Sequence, residues 1–136
     1  MKIWFICALL LLAAGCKNNP IEVKSTSLDR EFTLNLGQQV SIPNESLLIQ
    51  FQSVAEDSRC PWNWRCFVEG NAKLLLMISK QGMPPFSGSI NTLLEPKILT
   101  YGSYEVRLRK LLPYPEGNSQ IPSWAYTATL VVTRTK

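Results

Sequence analysis

The 136-residue chain contains no histidine. That removes the commonest general base near neutral pH and the commonest transition-metal ligand. Catalysis, if any, would fall to carboxylates or to a Ser–Lys pair. Also missing is any run of Lys or Arg, because the 14 basic and 10 acidic residues are scattered along the chain. Nucleic-acid binders concentrate basic charge in a stripe, so no nucleic-acid partner is expected. The longest apolar run covers only positions 3–14, short of the roughly 20 residues a membrane-spanning helix needs. No window beyond that run keeps a 3.6-residue apolar period, so helices are not expected in the folded part. Internal repeats are absent too. What remains is a chain with 46% apolar residues, enough for one core and one domain.

The first sixteen residues read M-K-I-W-F-I-C-A-L-L-L-L-A-A-G-C. A single Lys2 precedes the apolar run, and the small residues Ala13, Ala14 and Gly15 stand directly before Cys16. This pattern resembles a bacterial lipoprotein signal, the lipobox. The resemblance implies that residues 1–15 are a signal peptide, removed before Cys16, and that Cys16 carries acyl chains that hold the protein on a membrane. Lys17 follows where an inner-membrane lipoprotein would carry Asp. The expected location is therefore the cell envelope, on the outer membrane where there is one, facing either the periplasm or the surface. Residues 16–27 are polar and aperiodic and are expected to form a tether. Residues 28–136 are expected to form a single β-domain.

Four cysteines then resolve simply. On that resemblance Cys7 would leave with the leader and Cys16 would carry lipid, so Cys60 and Cys66 remain and are expected to form a disulfide in an oxidising compartment. Zinc would need two further ligands, and five residues separate the pair where redox pairs favour two. No metal and no cofactor are expected. The bridge closes a short loop, so its expected role is to hold that loop's shape.

The rest alternates with the period of a half-buried strand. Strands are expected over 31–36, 40–42, 46–54, 67–79, 86–92, 98–101, 104–112 and 125–133. The strand over 67–79 has apolar residues on both faces and is expected near a sheet centre, whereas the Ser-rich 86–92 reads as an edge. Gln81 to Pro85 reads as a breaker, Gly102-Ser103 as a two-residue hairpin turn, and 113–122 as a proline-rich loop. Seven or eight such strands point to an all-β fold: an antiparallel β-sandwich of Ig-like or Greek-key type, or a small barrel.

The segment Asp57-Ser58-Arg59-Cys60-Pro61, with Cys66 and then Gly70-Asn71-Ala72, resembles the motif of a family of small bacterial lipoproteins of unknown function. The likeness extends to Leu112-Pro113-Tyr114-Pro115 and to the closing Tyr126-x-Ala-x-Leu pattern. It implies an exported β-domain with this disulfide and no assigned activity. Val68 and Glu69 depart from the family's pattern, and the tip Trp62-Asn63-Trp64 belongs to this sequence.

Two groups of residues are candidates for a site. Trp62, Asn63 and Trp64, between the bridged cysteines, suit the stacking of a glycan or a protein hot spot. Glu56, Asp57 and Glu69 flank the loop and could form a Ca²⁺ site or a carboxylate pair, although Arg59 and Arg65 are placed to neutralise them in a structural role. Trp124 is expected to pack in the core or under a loop. The expected function is non-enzymatic binding of a protein or glycan, with no catalytic residues. The alternative is an inhibitor of an envelope or host hydrolase, and a carboxylate-dependent hydrolase is the third reading.

Overall fold

Phe32 and Leu34 alternate with Glu31, Thr33 and Asn35 along strand β2 (Glu31–Asn35), and the alternation becomes burial: the apolar pair lies inside and the polar three outside. The computed structural model describes residues 23–136. The leader and Cys16 lie outside them. The same alternation shapes β3 (Gln39–Ile42), β4 (Leu47–Asp57), β5 (Ala72–Lys80), β7 (Ile98–Tyr101), β8 (Tyr104–Leu112) and β9 (Thr127–Arg134). β1 (Lys24–Ser25) and β6 (Met83–Asn91) complete the set.

Two sheets form, in the orders β1-β3-β4-β5-β6 and β2-β9-β8-β7. Every pair is antiparallel except β1 with β3. Their inner faces share one core, with Leu34, Ile49, Phe51, Leu74, Leu76, Val106 and Leu130 fully enclosed. Each such side chain contributes about 1.5–3 kcal/mol relative to exposure. The fold is thus a β-sandwich, not a closed barrel. Among the described residues no helix is long and apolar enough to cross a membrane.

Four expectations need correction. The strand expected over 67–79 begins only at Ala72, because Gly70 takes φ +73° and breaks the extended backbone before it. The breaker at Pro84-Pro85 lies inside β6. That strand is a sheet edge, and its register slips between Ile78 and Lys80 of β5 opposite the prolines, where a missing N–H is tolerated. The tether expected over 16–27 is partly folded, since Lys24 and Ser25 pair with Val40 and Ser41 of β3. Finally, Tyr104, Val106 and Leu108 do not continue as a simple period of two. A register shift between Leu108 and Lys110 turns Leu111 into the core instead.

β4 has two such shifts, after Phe51 and after Val54. Each alone would swap the faces of the strand; together they cancel. Asp57 therefore pairs with buried Ala72 on the core side. This places a carboxylate at the rim of the sandwich, facing inward. The loops 58–71, 92–97 and 113–126 all reverse the chain at this same end, which we call the apex. The turns at 43–46, 81–82 and 102–103 lie at the other end, the base.

Candidate functional site at the apex

Asp57 would be costly to bury alone, and Arg59 answers it. The Arg59 side chain donates from Nε to Asp57 Oδ1 at 2.8 Å and from Nη2 to Oδ2 at 2.7 Å. Its remaining donors reach the Leu111 and Pro113 carbonyls, each at 2.8 Å. The guanidinium also lies over the Tyr114 ring, 4.5 Å from its centroid. Tyr126 donates its hydroxyl to Asp57 Oδ2 at 2.9 Å. Burial pushes the Asp57 carboxyl up, but Arg59's hydrogen bonds and charge, with Tyr126, outweigh it and hold it below the usual carboxylate range. Burial, reinforced by Asp57, pushes the Tyr126 hydroxyl up to about 12. Three stretches singled out in the sequence, 57–61, 112–115 and 126–130, therefore meet at one ion pair.

The other end of loop 58–71 is tied down just as firmly. A Cβ added to Gly70 would stand 1.8 Å from the Ser58 carbonyl oxygen, so only glycine fits there. Asn71 is buried and donates to Asn91 Oδ1 at 2.9 Å, while its own Oδ1 accepts from the Leu93 and Leu94 N–H groups. This fixes loop 92–97 beside loop 58–71. Between these ties the Cys60–Cys66 disulfide is formed, with Cα atoms 6.0 Å apart, and Cys60 N–H donates to the Glu69 carbonyl at 2.7 Å. The tip leans on the third loop: Trp62 N–H donates to the Pro115 carbonyl, and Gly117 N–H donates to Asn63 Oδ1.

Trp62 and Trp64 remain largely in solvent, at 66% and 49% exposure. They have company that the sequence did not disclose. Phe67 is fully exposed, and Val68, Leu93, Leu94, Leu112, Tyr114 and Trp124 are exposed beside them in the same three loops or at their edge. Trp124, expected in the core or under a loop, is 79% exposed; it sits in the short turn Ser123–Ala125, which delivers Tyr126 to Asp57 and leaves the indole outside. Phe67 and Val68 were masked by continuity with the strand that follows, and Gly70 was the one signal that could have separated them. The other large exposed apolar residues are Val23, just before β1, Leu48 on β4, and Met83 and Phe86 on the edge strand β6.

The three acidic candidates do not converge. Asp57 points inward and is fully engaged, whereas Glu56 and Glu69 are exposed and make no ion pair among the described residues. Arg59 has the neutralising role expected of it; Arg65 is exposed and pairs with neither. Among the described residues no group of three or more His, Cys, Asp or Glu side chains is placed to hold a metal ion. Two concavities border the ion pair, one of about 260 Å³ beside Asn91, Lys97, Lys110 and Tyr114 and one of about 300 Å³ beside Asp57, Pro115 and Tyr126, both no larger than the lower end of small-molecule sites near ~300 Å³. The arrangement is a set of braced loops at one end of the sandwich that leave large apolar side chains in solvent. No family model, curated protein or solved structure matches the chain at a significant level.

Proposed function

We propose that the chain is a lipid-anchored module of the cell envelope that acts by binding through its apex, not by catalysis. One observation carries the reading: most of the large exposed apolar side chains of the described residues are on three loops at one end, and those loops are pinned by a buried ion pair, a disulfide and a buried asparagine. Exposed apolar clusters of this kind mark interaction sites. Bracing lowers the ordering cost of binding. Asp57, the carboxylate buried at the rim, is held in its ionised form and bonded on both oxygens, which suits a structural brace better than an acid or base. The lipobox resemblance of residues 1–16 supports the anchor, and the small-lipoprotein motif supports the envelope setting.

A photo-crosslinking residue placed at Trp62 or Phe67 of the full-length protein in its own envelope should capture a partner. The same residue at Thr33, on the outer face of the second sheet, should not. Equal capture at both positions, or at neither, would refute the apex as the site. The projecting disulfide-bounded tip also supports a second reading, an inhibitor of an envelope or host hydrolase. That reading requires a stoichiometric complex with a hydrolase and loss of its activity.

A further inference from the structure

We infer that the apex rests on the lipid surface that anchors the chain, with Trp62, Trp64, Phe67, Val68 and Trp124 seated in the membrane interface. This deepens the binding reading above and rests on it. The first argument is direction. β4 runs from the base to the apex, β3 runs against it, and β1 is parallel to β3. Followed backwards from Lys24, the chain therefore leaves β1 heading towards the apex.

The second argument is reach. Lys24 pairs with Val40, which pairs with Ile49, so β1 lies below Asp57 by the strand from Ile49 to Asp57. Allowing for its two bulges, that is about 20 Å. Eight residues separate Cys16 from Lys24, and eight residues span at most about 29 Å. A membrane attachment at Cys16, or at the apolar run before it, thus lies within reach of the apex on the side to which β1 already points.

The third argument is chemistry. Tryptophan and tyrosine favour the membrane–water interface, where one part of the ring is apolar and the other polar. All three tryptophans of the described residues are on the apex loops. The base, in contrast, carries the charged group Glu45, Lys80 and Arg134 around Tyr104. The apex loops carry exposed Arg65 and Lys97 against Glu69, Glu95 and Glu116, so apolar insertion, not attraction to anionic headgroups, drives the contact. It should then survive high salt.

The tryptophans themselves supply the test. In a Trp4→Phe background of the full-length chain, every remaining indole belongs to the apex. Reconstituted into phosphatidylethanolamine–phosphatidylglycerol vesicles, this protein should lose most of its tryptophan emission when the lipids carry brominated acyl chains, and should be shielded from aqueous iodide. Both effects should persist at molar salt. Adding Phe67→Ser and Val68→Ser, both at exposed positions, should restore iodide access while the far-ultraviolet circular dichroism stays unchanged. Membrane-bound protein whose indoles remain open to iodide and untouched by bromolipid would overturn the inference. In that event, capture of a protein or glycan by the crosslinker at Phe67 would leave the broader binding reading standing, and failure of both experiments would remove both.

Discussion

The Asp57 carboxylate and the Arg59 guanidinium, two residues apart, face each other through paired hydrogen bonds of 2.8 and 2.7 Å, with the arginine side chain only 3% exposed. Arg59 spends its other donors on two backbone carbonyls from the opposite sheet's rim. The pair is therefore a clasp between the β4–β5 loop and the β8–β9 loop, and the apex surface depends on it.

Removing one member should be worse than removing both. Asp57→Ala leaves a buried guanidinium without its counter-charge and should cost about 3–5 kcal/mol. Asp57→Ala with Arg59→Leu should be less destabilised than Asp57→Ala alone. Urea denaturation of the two proteins checks the order, and an equal or larger loss in the double variant would show that the clasp is not charge-driven.

The clasp should also set the pH range of stability. The Asp57 carboxyl titrates lower in the folded protein than unfolded. Its contribution is thus fully present above the unfolded value near ~3.9 and is lost as pH falls through the folded value. Tyr126 behaves in the opposite sense: its stabilisation is complete below the unfolded value near ~10 and disappears as pH rises towards about 12. Tyr126→Phe should remove the alkaline limb of this dependence and reduce, without abolishing, the acid limb, because Arg59 still holds Asp57 low. Unfolding free energy measured against pH for both proteins reads this directly.

Two glycines with similar backbones should respond differently. Gly70 and Gly82 both have left-handed φ, +73° and +81°. An alanine Cβ at Gly70 would collide with the Ser58 backbone, whereas at Gly82 it would meet nothing within 4 Å. Gly82→Ala should cost about 1–2 kcal/mol from backbone strain alone. Gly70→Ala should cost clearly more and disturb the apex, seen as altered tryptophan emission. Equal losses would mean that loop 58–71 yields easily.

Opening the disulfide should have a limited effect on the whole fold. The closed loop is short, six positions from Cys60 to Cys66, and the chain-entropy relation gives about 2 kcal/mol. Cys60→Ser with Cys66→Ser should therefore keep a cooperative unfolding transition at slightly lower urea, while the tip between them gains freedom in hydrogen exchange. By comparison, Trp62→Ala removes an exposed side chain and should shift stability by no more than about 0.5 kcal/mol.

Much of this architecture was already written in the order of residues. Alternation specified nearly every strand and its inward face, because a side-chain period of two leaves one face for the core. The hairpin at Gly102-Ser103, the edge character of β6 and the pairing of the two cysteines were equally local matters. What only the tertiary structure decided lies at the rim. The two shifts in β4 and the one in β8 depend on the partner strand's register, which composition does not carry. Arg59 stands beside Asp57 in the chain, but the carbonyls of Leu111 and Pro113 and the Tyr126 hydroxyl come from 52 to 69 positions away. The exposure of Trp124 follows from that clasp and that of Phe67 from the Gly70 break before β5, since a large apolar side chain reads as core until the backbone beneath it is held facing the other way.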